Sequence, residues 1–69
     1  MNSSLELGMA IRKRRTLLGI TQRDLSEVAG VSLRSLKALE AGDANPSLGQ
    51  MIKVFDALGW KMALEERGK

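Results

Sequence analysis

The sequence predicts a mainly α fold, a compact four- to five-helix bundle closed by a short C-terminal β-strand that pairs across a homodimer. Three observations carry this. Side chains that cap helices stand at Ser3, Thr21, Ser32 and Ser47, each just ahead of apolar residues at helical spacing. Glycines at positions 19, 30, 42 and 59 close the stretches so opened. After Gly59 the apolar spacing shortens from the helical period to two residues, the period of a strand.

The first helix opens on a capping box, Ser3 with Glu6, and runs to about Leu18. Leu7, Ile11 and Leu18 share one face. Arg14 falls on that face too, where a long side chain can snorkel at the edge. The run Arg12-Lys13-Arg14-Arg15 winds around the helix, so its charges cannot all serve one partner. Gly19 ends the helix, and Ile20 can pack beneath the start of the next.

Thr21 caps the second helix, with Asp24 placed to reach back to the free backbone N–H groups, and Leu25, Val28 and Ala29 form its apolar stripe. Gly30 stops it, since glycine takes the left-handed conformation at no steric cost. Ser32 caps the third helix, which turns Leu36 and Leu39 inward and ends at Gly42. Two short helices around a glycine turn make a helix-turn-helix pattern, although bundles with no nucleic-acid role contain such hairpins as well. The far face of the second partner points to DNA. At about 100° per residue, Arg34, Lys37, Ala38 and Ala41 lie opposite Leu36 and Leu39. That face is basic, slim and free of acid, as a helix entering the major groove must be.

Asp43-Ala44-Asn45-Pro46 reads as a loop, and Ser47 with Gln50 opens a fourth helix that turns Leu48, Met51, Ile52, Phe55 and Leu58 inward. Beyond Gly59, Trp60, Met62 and Leu64 alternate with Lys61, Ala63 and Glu65. A lone strand either leaves its edges to water or pairs with the same strand of a second copy about a two-fold axis. The second option stabilises a small core, so Trp60, Met62 and Leu64 are expected at a dimer interface. Residues 1–59 are thus expected to form the DNA-binding domain and residues 60–66 the dimerisation strand.

Composition narrows the function. Sixty-nine residues make one small domain, and without cysteine or histidine it has neither disulfides nor the common zinc sites. No metal site and no cofactor are expected. Residues 1–37 carry seven basic and three acidic side chains (+4), and residues 38–69 carry four and five (−1), so the basic excess lies on the half bearing the hairpin. A charge excess can be no more than a solvated face; beside a helix-turn-helix it favours nucleic acid. Apolar runs fall far short of the roughly 18 residues that span a membrane, and no signal-peptide pattern is present, so a cytoplasmic location is expected and a membrane partner is not. Catalysis is not expected either. Histidine, cysteine and tyrosine are absent, and Ser26 and Ser35 have no nearby base. A pure protein-interaction module is the other alternative, and it would show no salt-dependent DNA binding.

The pattern TQxxLSxxAGVSxxSLxxLExG from Thr21 to Gly42, followed by NPSLxxMIKVFDALG from Asn45 to Gly59, resembles the DNA-binding domain of the Cro/phage-repressor (XRE) helix-turn-helix family. The resemblance extends over about residues 7–59. The strand expected at Trp60–Leu64 resembles, more narrowly, HipB-like antitoxins, which autorepress their operon and bind a HipA-like kinase toxin. The wider resemblance implies a repressor on a palindromic operator in double-stranded DNA. Thr21 and Gln22 then match the backbone-contacting start of the second helix. Ser32, Leu33, Arg34, Lys37 and Ala38 match positions of the third helix that approach bases and phosphates. Arg15 and Glu40 match an internal ion pair of several relatives. Leu33 replaces a polar base-reading residue, which implies contact with a thymine methyl there. Arg14 stands where an apolar residue is common. A phage-type regulator without a toxin partner is the alternative that the resemblance leaves open.

Overall fold

The computed structural model describes residues 3–63, and four helices account for most of them: α1 (Ser3–Leu17), α2 (Gln22–Ala29), α3 (Leu33–Ala41) and α4 (Leu48–Ala57). Their boundaries follow the local signals. Thr21, Ser32 and Ser47 each sit in extended backbone just before a helix, with the hydroxyl accepting the N–H three residues on. The glycine at position 30 takes the left-handed conformation (φ 74°) that ends α2 and turns the chain into α3.

The core draws on every helix. Ile11, Leu25, Ala29, Leu36, Leu39, Val54 and Leu58 are buried together, with Leu7, Ile20, Val31, Phe55 and Trp60 packed around them. α1 packs across α3, and α2 packs against both α3 and α4. The α1–α3 crossing is close because of Gly8. A Cβ there would stand 2.5 Å from the carbonyl oxygens of both Leu39 and Glu40, so the backbone of α1 rests directly on that of α3.

Several expected positions differ. Leu18 and Val28 lie outward, 43% and 70% exposed, because the covering elements meet Ile11 and Leu25 instead. On α4, Leu48 and Ile52 face away from the domain and Val54 takes the buried place, since α2 covers only one side of the apolar arc. Arg14 is half-buried, and its Nε donates to the carbonyl oxygen of Leu58 (3.0 Å), so it caps the end of α4 with its charge near the negative end of the helix.

Among the described residues no C-terminal strand is formed. Residues 60–63 are irregular, and Leu64, with the rest of the expected strand to residue 66, lies outside the described residues. The reason is local. Gly59 turns the chain back, the Trp60 N–H donates to the Phe55 carbonyl (2.8 Å), and the Trp60 ring meets Phe55 edge-on with centroids 5.5 Å apart. Trp60 therefore packs on its own domain within the single chain, while Met62 stays 37% exposed.

Candidate nucleic-acid interface

The end of α1, the start of α2 and the length of α3 meet around one carboxylate. Glu40 has a side chain only 3% exposed. Arg15 donates to it twice, from Nε to Oε2 (2.7 Å) and from Nη2 to Oε1 (3.1 Å), and Gln22 donates from Nε2 to Oε1 (3.1 Å). The remaining end of the guanidinium donates from Nη1 to the Ile20 carbonyl (2.9 Å). Hydrogen bonding to Glu40, and secondarily its charge, hold the Arg15 pKa above its ordinary value against the opposing effect of burial. The network ties the loop before α2 and the first residue of α2 to α3, so the two helices keep a fixed relation.

At the start of α2, Thr21 and Asp24 close a full capping box: the Thr21 Oγ1 accepts the Asp24 N–H, and the Asp24 Oδ2 accepts the Thr21 N–H, both at 3.0 Å. The bond from the Thr21 backbone, and then that from its side chain, lower the Asp24 pKa. Thr21 and Gln22 line an open groove of about 500 Å³ with Arg12, Arg15, Thr16 and Gly19. Donors from two helices thus converge where a helix N-terminus carries partial positive charge, a setting that suits an anionic oxygen.

Along α3, Leu36, Leu39 and Glu40 are buried, and Arg34, Lys37 and Ala41 point to solvent. Ala38 is half-buried, beside a cleft of about 210 Å³ that Arg34, Asn45 and Gln50 also line. Leu33 sits half-buried at the edge of the outward face. Ser32 caps the helix, accepting the Ser35 N–H (3.0 Å) and donating to the Ser35 hydroxyl (2.8 Å). The structure therefore gathers Ser32, Arg34, Lys37 and Ala38 on one accessible, acid-free surface, and it places Thr21 and Gln22 on a second surface at the start of α2. Trp60 and Met62 belong to neither.

Sequence reasoning missed Arg12 and Thr16 in the groove, and Asn45 and Gln50 beside α3. For the first two a signal existed: they lie four residues apart, on the same side of α1 and just before the turn into α2. Among the described residues no group of acidic side chains could hold a metal ion, and no helix is long and apolar enough to cross a membrane.

The sequence is similar to those of known proteins. Residues 11–63 match the model of a family described as helix-turn-helix. An uncharacterized HTH-type transcriptional regulator of Methanothermobacter thermautotrophicus is 43% identical over 49 residues, 71% of each chain. The uncharacterized HTH-type transcriptional regulator y4mF of Sinorhizobium fredii is 35% identical over 54 residues, 78% of this chain and 71% of its own. With its capped hairpin, its buried core and most of its length matched, the chain belongs to the XRE-type helix-turn-helix family.

Proposed function

We propose that this protein is a sequence-specific DNA-binding transcriptional repressor, acting in the cytoplasm as a homodimer on a palindromic operator. One observation carries the reading: the outward face of α3 presents Arg34, Lys37, Ala38 and Ala41 with no acid among them, on a helix locked to α2 by the Glu40 network. A helix of that shape fits the major groove, where Arg34 can donate two hydrogen bonds to guanine and Leu33 can touch a thymine methyl. The starts of α2 and α3, at Gln22 and Ser32, hold flanking phosphates, which set the register without reading sequence. The regulators matched above carry names consistent with this role.

Selection of bound sequences from a random duplex pool, followed by titration of the selected site at several salt concentrations, tests the proposal. A two-fold-symmetric site whose affinity falls steeply with salt is expected. Absence of salt-dependent binding would leave a protein-interaction module instead. An antitoxin role, with a HipA-like kinase toxin as partner, adds a second protein surface to this reading. Its support is the likeness of Trp60–Leu64 to HipB-like antitoxins, and coexpression with any kinase encoded beside the gene, with recovery of a complex, tests it.

A further inference from the structure

Between α3, the loop that follows it and α4 lies the cleft of about 210 Å³. Its floor is apolar, made by the buried side chains of Leu36, Leu39 and Val54. Arg34 from α3, Asn45 from the loop and Gln50 from α4 also line it, and no acid does. Among the described residues, the Arg34 guanidinium and the side-chain amides of Asn45 and Gln50 have no hydrogen-bond or ion-pair partner. The hydroxyl of Ser35, the remaining polar side chain of the lining, is already bonded to Ser32 (2.8 Å). The loop is held at both ends: the Asp43 N–H donates to the Ala38 carbonyl (2.9 Å), and the Ser47 Oγ accepts the Gln50 N–H (3.1 Å). Pro46 adds a fixed backbone angle between them. The space is therefore built into the fold and does not have to be opened.

The lining specifies the chemistry of what fits. An apolar cavity of about 150 Å³ admits benzene, so this cleft has room for one ring carrying a small polar group. The apolar floor suits the ring. A single cation in the lining calls for a single negative charge, and the flat guanidinium matches the two oxygens of a carboxylate. The free amides of Asn45 and Gln50 can donate to the same oxygens.

We propose that this cleft binds a small aromatic carboxylate, ring on the apolar floor and carboxylate on Arg34, and that the bound molecule releases operator DNA. The release rests on the operator-binding reading, whereas the binding does not. Arg34 belongs to two surfaces at once, the exposed face of α3 and the lining of the cleft. Pairing with a carboxylate engages its fork and neutralises its charge. A guanine edge then loses its donors, and the nearby phosphates meet an added negative group.

Titration of benzoate into the full chain, followed by NMR of the methyl groups, tests the binding, with benzyl alcohol as the uncharged probe of similar shape. Benzoate should shift the Leu39 and Val54 methyls saturably, and benzyl alcohol should bind roughly tenfold more weakly. Arg34→Ala leaves the floor intact and should erase that difference. Ala44→Leu places a larger side chain in the lining and should abolish binding of both probes. Should Ala44→Leu fail to fold by circular dichroism, the Arg34→Ala comparison still decides the matter. On the operator, benzoate should weaken wild-type binding more than acetate does at the same ionic strength. Shifts that do not saturate, that lie away from the cleft, or that are as strong with benzyl alcohol would overturn the proposal. So would benzoate that fills the cleft and leaves the operator complex intact. The two readings fail separately: a chain that takes benzoate but ignores DNA removes the repressor reading and keeps the site, and a chain that binds its operator but not benzoate removes the site alone.

Discussion

Arg15 and Glu40, 25 positions apart in sequence, face each other through two hydrogen bonds of 2.7 and 3.1 Å, and this pair joins the last turn of α1 to the last turn of α3. Because Glu40 also accepts from Gln22, one buried carboxylate fixes the relation of α2 to α3, on which both halves of the proposed DNA surface depend. A buried pair of this kind does not stabilise greatly by existing, but it costs much to break, since the survivor keeps its charge without its partner.

Replacing one partner should therefore be severe. Arg15→Ala should destabilise by roughly 3–5 kcal/mol, because only the Gln22 amide remains for the carboxylate. That is a large share of the roughly 3–10 kcal/mol that a chain this size holds. Replacing both by apolar residues of similar volume, Arg15→Met with Glu40→Leu, should recover most of the loss. Urea unfolding of the two singles and the double checks this. A double variant no more stable than Arg15→Ala would mean that the hydrogen bonds, and not the stranded charge, set the cost.

Gly8→Ala should be as damaging as many larger changes. The added methyl would meet two backbone carbonyl oxygens of α3 at 2.5 Å, and backbone cannot swing aside as a side chain can. The helices must part, at a cost of at least roughly 1–3 kcal/mol, although alanine favours the helix itself by about 1 kcal/mol. Thermal unfolding measures the net sign. A stabilised variant would show that α1 and α3 can separate at little cost.

What was legible in the sequence was whatever depends on a few neighbouring residues. The caps at Thr21, Ser32 and Ser47 and the turn at Gly30 are set by hydrogen bonds within four residues, so their positions follow from residue type. The outward face of α3 was also legible, since Leu36 and Leu39 orient it. What depends on packing was not. Helical spacing shows that Leu48, Ile52, Val54 and Leu58 share an apolar arc, but not that the domain covers only Val54 and Leu58. The purpose of Gly8 depends on carbonyls more than thirty residues away. The two-residue alternation after Gly59 was too short to oppose the turn that returns Trp60 to Phe55. Arg14 looked like a break in the stripe because its acceptor, the Leu58 carbonyl, is 44 positions distant.

The capping box gives α2 an acid-sensitive start. Hydrogen bonds from Thr21 hold the Asp24 pKa below its ordinary 3.8, so the folded chain binds this proton less readily than the unfolded chain. Its contribution to stability is present in full above the unfolded value and is lost as pH falls through the lower, folded value. Asp24→Asn should therefore reduce stability at neutral pH and flatten the decline below about pH 4. Thr21→Ala, which removes the cap hydroxyl, should cost about 1 kcal/mol. Denaturant melts at neutral pH and below about pH 4 separate the two effects. An unchanged acid limb in the Asp24→Asn protein would count against the bond.

The two cations on the outward face of α3 should play different parts on DNA. Arg34 and Lys37 are both exposed there, three residues apart, yet their chemistry differs. The flat guanidinium can match the two acceptors of guanine, whereas the lysine ammonium is a point charge suited to phosphate. If Arg34 reads a base, Arg34→Ala should weaken operator binding by roughly 1–3 kcal/mol, and the preference at one base pair of each half-site should relax. Lys37→Ala should weaken binding to all sequences about equally and lower the salt slope by about one for each copy bound. Titrating both variants on the operator and on scrambled duplex, at several salt concentrations, distinguishes these patterns. Equal losses on operator and scrambled DNA for Arg34→Ala would reassign Arg34 to the phosphates. Base reading would then fall to Lys37 and the apolar edge at Leu33. In that case Leu33→Gln should alter which base pair is preferred, because it replaces contact with a thymine methyl by hydrogen bonds to adenine.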